Sequence, residues 1–366
     1  MATIEVLLPI KNALPFLPES IESVCSQTFK DWRLLILDHG STDGSTELAL
    51  RYAEKDKRIV VYEKPDAPGL GGLLNFGLGK ADGHFIVRQD GDDVSLPKRF
   101  QTVVDIFSAE PDLMLMGGEA SVMDSAGRDI GYISRPLSPA AIVAASFFYN
   151  PVAHPTAAFS QSRVASLGAL YGNDILNVLP PERSLRVLSL AEDYFLFGQL
   201  ALLGRCRNIP VPLIKYRIHE KSVSTFNRVA QNTCALSISR FLAMSLAEMR
   251  GTYVFDPAPF CSHAENVFDC CLEDYSLEFD RMARSLEEGL GQSHELTREL
   301  AFRRVLAKRN SVAMATRYAS FVFRNGLRAE EYRLVRNWLG RFVTDKNVTR
   351  VEGGLAPWRR TASQGA

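Results

Sequence analysis

The chain contains the stretch FIVRQDGDD at residues 85–93, a short apolar run that ends in three carboxylates within four residues. Such a run, rich in β-branched residues, is typical of a buried strand in a parallel sheet. Like charges this close together repel one another unless a cation neutralises them. Hard divalent cations such as Mg²⁺ and Mn²⁺ prefer oxygen ligands. Asp90, Asp92 and Asp93 are therefore candidate metal ligands, and the alternative is a solvated acidic turn that caps the next helix.

Strands and helices alternate on the N-terminal side of this stretch. Short apolar runs predict strands at residues 4–8, 32–37, 59–62 and 85–87. The spacing of apolar residues predicts helices at residues 18–26, 46–55 and 73–80, the last after a turn with Gly69, Gly71 and Gly72. This alternation predicts an α/β fold with a doubly wound, mixed and mostly parallel sheet.

Polar clusters follow three of these strands at the point where each strand ends. They occupy residues 9–12, 38–43 and 90–93. Ligands of doubly wound sheets bind beyond the carboxyl ends of the strands, so the clusters mark one candidate site. The second cluster, DHGSTD, offers carboxylates, a ring and hydroxyls suited to a base and a ribose. Capping of the following helix is the other interpretation.

A further acidic pair, Glu192-Asp193, lies in the otherwise apolar stretch 188–203, which has helical periodicity. Two acids beside an apolar face can form a buried general base with a raised pKa. They can equally occupy the first turn of a helix, where the helix dipole favours negative charge. The residues alone leave both interpretations open.

The pattern changes after about residue 225. Helical periodicity predicts helices at residues 236–250, 277–290, 297–308 and 328–342. The chain balances 42 basic against 42 acidic residues, yet residues 303–366 hold 14 basic and 4 acidic ones. Because aromatic residues are interleaved with these charges, an anionic membrane surface is a candidate partner for residues 303–366. A solvated basic face that packs through its aromatics is the alternative, and no nucleic-acid module accompanies the segment.

The composition excludes several classes of protein. The 366 residues are 46% hydrophobic and 23% charged, as in a folded globular protein. No stretch approaches the roughly 18 consecutive apolar residues of a membrane span, and no signal peptide is recognisable. The six cysteines show no zinc-binding spacing, as expected of thiols in a reducing compartment. We therefore expect a cytoplasmic protein, at most peripheral at the inner face of the cytoplasmic membrane.

The motifs follow one another in the order of a known family. They are Pro9-x-x-Asn12, Ser26-Gln27-Thr28-Phe29-x-x-Trp32, Asp38-x-Gly40-Ser41-Thr42-Asp43, Leu74-Asn75-Phe76-Gly77-Leu78, Arg88-Gln89-Asp90-Gly91-Asp92-Asp93, Pro97-x-Arg99-Phe100, His154-Pro155-Thr156, Glu192-Asp193-Tyr194 and Tyr216-Arg217-Ile218-His219-x-x-Ser222-Val223-Ser224. In this order they resemble the family 2 glycosyltransferases of the GT-A fold, in particular bacterial enzymes that build surface polysaccharides. The resemblance implies a GT-A domain at residues 1–225, followed by a helical region at 226–366 that is basic from about residue 303.

The resemblance also implies roles for individual residues. Those implied to bind the nucleotide are Pro9, Ile10, Asn12, Asp38, His39, Asn75, Arg88, Asp90 and Gly91. Those implied to hold Mn²⁺ or Mg²⁺ against the donor diphosphate are Asp90, Asp92, Asp93 and His219. Asp193 is the implied catalytic base, with Glu192 beside it. Contacts with the acceptor or donor are implied for His154, Arg217 and Ser222.

The implied activity is the transfer of a sugar from a nucleoside-diphosphate sugar to a hydroxyl of a saccharide or lipid-linked oligosaccharide. The reaction would invert the anomeric carbon and serve the biosynthesis of cell-surface polysaccharide (LPS, capsule or exopolysaccharide). A GT-A-like nucleotidyltransferase or sugar-nucleotide phosphohydrolase would use the same metal site, and a binding module would keep the sheet without turnover.

One residue departs from the family pattern. His39 stands where many relatives have an aspartate, which in some of them contacts the uracil ring. A neutral imidazole can still accept a hydrogen bond from a ring N–H. UDP-sugars are therefore the favoured donors, with guanine and thymine nucleotides as alternatives.

Overall fold

The computed structural model describes residues 2–219, 228–264, 274–307 and 311–341. The chain divides into two units. The first comprises Met1–Ser146 and Asn150–Phe226, and the second comprises Phe147–Tyr149 and Asn227–Ala366.

The first unit is built on a nine-stranded sheet. Its strands are β1 (Ile4–Ile10), β2 (Trp32–Asp38), β3 (Ile59–Glu63), β4 (Phe85–Arg88), β5 (Val94–Ser95), β6 (Leu113–Met123), β7 (Asp129–Ile133), β8 (Ala158–Ser160) and β9 (Arg205–Arg217). The order across the sheet is β3-β2-β1-β4-β8-β6-β9-β5, with β7 paired to β6. Strands β3, β2, β1 and β4 run parallel, whereas β8 is antiparallel to both β4 and β6. The predicted α/β fold with a mixed sheet is confirmed.

Helices cover both faces of this sheet. One face carries α1 (Leu17–Cys25), α2 (Ser45–Lys55) and α4 (Arg99–Ala109). The other carries α3 (Gly69–Leu78), α5 (Pro139–Ser146), α6 (Gln161–Ser166) and α7 (Glu192–Leu203). Within β1, Val6 and Leu8 pack on the first face and Leu7 on the second. Because successive side chains point to opposite faces, a strand covered on both sides is apolar at nearly every position.

Strand β1 extends two residues beyond its predicted end at residue 8 and includes Pro9. The carbonyl of Ile10 accepts from the His39 amide on the β2 side. Hydrogen-bonding directions alternate along a strand, so the nitrogen of Pro9 faces β4. The last paired residue of β4, Arg88, lies opposite Leu7. The missing N–H of Pro9 therefore breaks no ladder hydrogen bond.

Helix α3 begins at Gly69, four residues before its predicted start, so the predicted turn is wrong. The Gly71 amide donates to the Leu188 carbonyl at 2.9 Å. A Cβ on Gly69 would lie 2.7 Å from that same oxygen. The glycines therefore let the segment before α7 lie directly against α3. Helix α7 itself begins at Glu192, later than its apolar stretch suggested.

The second unit is helical, as predicted. Its helices are α8 (Arg228–Arg250), α9 (Ser276–Leu290), α10 (His294–Leu306), α11 (Ser311–Asn325) and α12 (Ala329–Arg341). Helix α11 was not predicted, because Val, Thr, Phe and Tyr have modest helix propensity. Its buried Met314, Tyr318 and Phe321 recur at helical spacing, so packing stabilises it. Across the described helices, none combines the length and the apolar character needed to cross a membrane.

We predict that Gly69→Ala destabilises the first unit by about 2–4 kcal/mol, against about 1–2 kcal/mol for Gly127→Ala. Both glycines have positive φ (72° and 80°), so both variants place a side chain in the left-handed region. At Gly69, the new Cβ would collide with the backbone of Leu188. At Gly127, nothing lies within 4 Å of the new Cβ. Urea unfolding measures both losses. Equal losses would contradict the packing of Leu188 on α3.

Candidate active site

The loops after β1 and β2 are joined by side-chain hydrogen bonds. Asn12 accepts at Oδ1 from the Thr42 amide (2.8 Å), and its own amide donates to Ser41 Oγ (3.0 Å). Asp38, buried at the end of β2, accepts from Ser41 Oγ at 2.7 Å and from the Thr46 hydroxyl. Asp38 therefore shapes this turn and secures the start of α2. Contacts of Asn12 and Asp38 with a nucleotide stay predictions.

His39 follows Asp38 at the same edge of the sheet. Its Nε2 lies 2.9 Å from the Ala67 carbonyl oxygen. A carbonyl can only accept, so Nε2 carries a proton, and in the neutral ring Nδ1 is then an acceptor. The ring is therefore held in the tautomer that can receive a hydrogen bond from a ligand N–H.

The turn after β4 lies against the end of β1. Pro9 and Ile10 are buried there, beside Gly91. A Cβ on Gly91 would lie 3.2 Å from Ala13 Cβ and 3.3 Å from Ile10 Cγ2. Glycine at this position therefore allows the carboxylates on either side of it to sit directly over the end of β1.

A buried hydrogen-bond network holds this turn in place. Arg99 of α4 donates to the carbonyls of Arg88 (2.6 Å) and Pro155 (2.8 Å) and to Gln89 Oε1 (3.0 Å). Gln89 in turn donates to the Asp93 carbonyl at 2.9 Å. Burial lowers the pKa of Arg99 to about 9. Because a buried cation is costly unless its donors are satisfied, this network fixes the end of β4 against the segment before β8.

The three carboxylates after β4 have different environments. Asp93 is buried and accepts at Oδ1 from the Arg217 amide at 2.8 Å, while its Oδ2 has no partner among the described residues. Burial, and then the charges of Asp90 and Asp92, raise the pKa of Asp93 well above its usual value. The side chains of Asp90 and Asp92 are 28% and 30% exposed. Asp90 and Asp92 can therefore reach a ligand, whereas Asp93 lies beneath them.

Basic side chains face the same turn. Arg88 donates to Asp90 Oδ1, and His219 Nε2 lies 2.9 Å from Asp92 Oδ2. Arg217 is buried, donates through Nε to the Asp92 carbonyl (2.9 Å) and pairs with Glu19. Arg217 thus holds the turn, which argues against its predicted contact with donor or acceptor. The predicted Ser222 lies outside the described residues.

Asp90 and Asp92 fit a divalent cation. They offer hard oxygen donors two residues apart, on a turn that remains partly open to solvent. The negative charges of Asp90 and Asp92 also raise the pKa of the neighbouring Asp93, as expected where carboxyl groups crowd one turn. The arrangement is therefore suited to a cation that is shared with a negatively charged ligand.

The pair Glu192-Asp193 opens α7, as the helix-start interpretation predicts, and Glu192 is buried. The role of Asp193 as a general base stays a prediction. Burial raises the pKa of Glu192 to about 8 and that of Asp193 to about 6. Glu192 is 3% exposed, whereas the Asp193 side chain is 17% exposed. Asp193 is therefore the member of the pair that can meet a ligand, and burial favours the protonated form of Glu192.

Two side chains flank the carboxylate of Asp193. Asn150 donates through Nδ2 to Asp193 Oδ2 at 2.7 Å, and His154 Nδ1 lies 3.8 Å from that oxygen. Burial lowers the pKa of His154 well below its usual value, so its ring is neutral. His154, Glu192 and Asp193 bring one ligand atom each within 4.8 Å of one another. Of these three residues, Glu192 is buried, whereas His154 and Asp193 are partly exposed.

Asn150 was missed by the sequence analysis. Its only local signal is the dipeptide Asn150-Pro151, which is typical of a turn and says nothing about Asp193. The contact joins a loop to the start of α7, 43 residues further along the chain.

The acidic pair and the turn after β4 belong to one site. The charges of Arg88 and Asp90 act on both Glu192 and Asp193. Buried Tyr171 lies in the same region, its ring 5.9 Å from that of His154.

The backbone of Tyr171 is clamped by Asn75 of α3. Asn75 donates to the Tyr171 carbonyl (2.9 Å) and accepts from the Tyr171 amide (2.8 Å). The side-chain amide of Asn75 therefore positions Tyr171. The contact between Asn75 and the nucleotide stays a prediction.

Comparison with known proteins connects this geometry to a family. Residues 5–139 match the family model described as Glycosyl transferase family 2. The chain carries a family 2 glycosyltransferase domain. An uncharacterized glycosyltransferase of Haemophilus influenzae is 26% identical over 245 residues, which cover 65% of this chain and 72% of that protein. The O-antigen biosynthesis glycosyltransferase WbnJ of Escherichia coli is 27% identical over 245 residues, 65% of this chain and 89% of WbnJ.

A solved structure shows the same fold. Residues 1–349 of S. aureus TarS, in complex with UDP-GlcNAc, align with a TM-score of 0.54 at 14% identity, over 96% of this chain and 97% of that one. The predicted GT-A fold class and the predicted membership of glycosyltransferase family 2 are confirmed.

We predict that sugar transfer by this glycosyltransferase falls as the pH drops through about 6, where Asp193 becomes protonated. A base must be ionised, so activity is full above this pKa and lost below it. Asn150→Ala should move this acidic limb up by roughly 0.5–1 pH unit, because the ionised carboxylate loses a hydrogen-bond donor. The pH profile of kcat/KM measures both effects.

Asn173→Ala serves as the control, since its side chain makes no hydrogen bond to a described residue. A rate lowered equally at every pH in Asn150→Ala would make Asn150 merely structural.

Proposed function

We propose that this protein is an inverting glycosyltransferase that moves a sugar from a nucleoside-diphosphate sugar to a hydroxyl of a saccharide or lipid-linked oligosaccharide. One observation carries the proposal. Exposed carboxylates suited to a cation, on Asp90 and Asp92, share a site with the buried, ionisable carboxyl of Asp193. A cation held by Asp90 and Asp92 suits a diphosphate leaving group, and the carboxyl of Asp193 suits an acceptor hydroxyl.

Asp193 acts on the acceptor. Its carboxylate takes the proton of the acceptor hydroxyl while that oxygen bonds to the anomeric carbon. Asn150 holds Asp193 Oδ2 at 2.7 Å, and the Asp193 side chain remains 17% exposed, so an acceptor hydroxyl can approach it. The neutral ring of His154 adds no positive charge that would weaken the base. A single displacement with no covalent intermediate inverts the anomeric carbon.

The leaving nucleoside diphosphate gains negative charge as its bond to the anomeric carbon breaks. Mn²⁺ or Mg²⁺ held by Asp90 and Asp92 would supply Lewis-acid stabilisation of that charge. The protein's own contribution is to orient those carboxylates: Arg88 contacts Asp90, and His219 contacts Asp92.

The donor nucleotide is proposed to be UDP. In the neutral ring, the Nδ1 acceptor of His39, oriented by the Ala67 contact, suits a base that presents a ring N–H, as uracil does. Guanine and thymine present the same group, so GDP- and dTDP-sugars are the competing donors. The sugar is a hexose or an N-acetylhexosamine.

The proposed role is cell-surface polysaccharide biosynthesis on the cytoplasmic side of the membrane. WbnJ, 27% identical over 65% of this chain, is named for O-antigen biosynthesis, which supports this role.

We predict that Asp193→Asn lowers sugar transfer by about 10²–10⁴-fold, as expected for loss of a general base. Its Mn²⁺-dependent nucleotide binding should stay within about twofold of wild type, because the metal-binding turn is untouched. Glu192→Gln is the matched control, since glutamine mimics the protonated carboxyl that Glu192 already presents. Glu192→Gln should lower sugar transfer much less than Asp193→Asn does. UDP release from a panel of UDP-sugars with saccharide acceptors measures transfer.

Undiminished UDP release by Asp193→Asn would contradict the role of Asp193. A sugar-nucleotide phosphohydrolase would release UMP instead of UDP from a UDP-sugar, and a nucleotidyltransferase would release no UDP. Either product pattern in the wild-type protein would favour these alternatives, which need the metal site but no base for an acceptor hydroxyl. Equal loss of transfer and nucleotide binding would make Asp193 a structural residue.

A further inference from the structure

The turn between α11 and α12 exposes large apolar side chains. Phe323 is 93% exposed, Leu327 is 65% exposed and Tyr332 is 48% exposed. Single exposed apolar residues are ordinary, but three within ten residues form a patch of the kind that marks an interaction site.

The other described aromatic residues of α11 and α12 belong to the core. Tyr318, Phe321 and Trp338 are buried. The two interpretations of the basic segment thus apply to different residues. Tyr318, Phe321 and Trp338 pack into the core, as the alternative interpretation predicts, whereas Phe323 and Tyr332 are exposed to solvent. Arg303, where the basic segment begins, is itself buried and paired with Glu299.

The exposed turn is held firmly by its surroundings. Arg298 of α10 and Glu331 of α12 form two hydrogen bonds, at 2.7 and 3.1 Å, in a largely buried ion pair. Gly326 has a φ of 76°, and its amide donates to the Val322 carbonyl at 2.8 Å, which closes α11. The apolar side chains are therefore presented by a defined turn between two packed helices.

Four arginines lie within nine residues of Leu327 along the chain. Arg324, Arg328, Arg333 and Arg336 are all exposed. The stretch also contains Glu330 and Glu331, but Glu331 is already neutralised by Arg298. The surface thus combines a protruding apolar tip with a surplus of exposed arginines.

We propose that the α11–α12 turn docks on an anionic lipid bilayer, with Phe323 and Leu327 entering the headgroup region and the four arginines contacting anionic headgroups. A bilayer supplies an apolar layer and a negative surface together. Free phosphate would leave Phe323 and Leu327 in water, and a second copy of this chain would bring arginines face to face. Given the proposed function, docking would bring the enzyme to lipid-linked acceptors.

Cosedimentation of the full-length protein with vesicles tests this proposal. We expect binding to phosphatidylglycerol vesicles and much weaker binding to phosphatidylcholine vesicles. Phe323→Ser combined with Leu327→Ser should weaken binding at least about tenfold, because two apolar side chains no longer leave water. Arg324→Gln combined with Arg328→Gln, or a rise in salt, should also weaken it about tenfold.

Val312→Ser is the matched control. Val312 is another apolar residue of α11, 72% exposed and at the end of the helix remote from the turn, so binding should not change. Unchanged thermal unfolding of each variant shows that it is folded. The assay contains no sugar nucleotide, so its failure would leave the proposed transferase reaction standing.

Two results would overturn the proposal. One is equal binding of wild type to both vesicle types, or no binding to either. The other is wild-type binding by the Phe323/Leu327 double variant. If that variant also dissociated an oligomer, the surface would instead join copies of this chain.

Discussion

The buried guanidinium of Arg99 is the interaction on which the rest of the site depends. It donates to the Arg88 carbonyl at the end of β4 and to the Pro155 carbonyl before β8. A cation removed from water is stable only where its donors find partners, so both segments must keep their positions. The turn that carries Asp90 and the segment that carries His154 are thereby held by one side chain.

Around this scaffold, carboxyl groups are suited to two different purposes, cation binding and proton transfer, according to how deeply each is buried. Asp90 and Asp92 remain partly exposed and can bind a cation. Burial raises the pKa of Glu192 to about 8 and that of Asp193 to about 6, which suits the proposed role of Asp193 as a proton acceptor. When carboxyl groups differ in burial, their pKa values differ, and one site can then combine electrostatic stabilisation with proton transfer.

Local patterns predict the frame of this site, because strand periodicity and the polar residues that follow a strand are properties of short segments. They place Asp38 and Asp90 at one edge of the sheet. The contacts that complete the site are not local: Arg99 to Pro155 and Asn150 to Asp193 span 56 and 43 residues. Gly69 was misassigned to a turn for the same reason, since its packing partner, Leu188, is distant in sequence.

Nucleotide binding through a cation at Asp90 and Asp92 is tested most directly by calorimetric titration of the full chain with UDP, GDP and dTDP. Each titration is run with Mn²⁺ and again with EDTA. UDP should bind with Mn²⁺ and lose its binding with EDTA, because the two carboxylates hold the diphosphate only through a cation. No binding of any nucleotide, or binding that is the same in EDTA, would contradict the site described at the carboxyl end of this sheet.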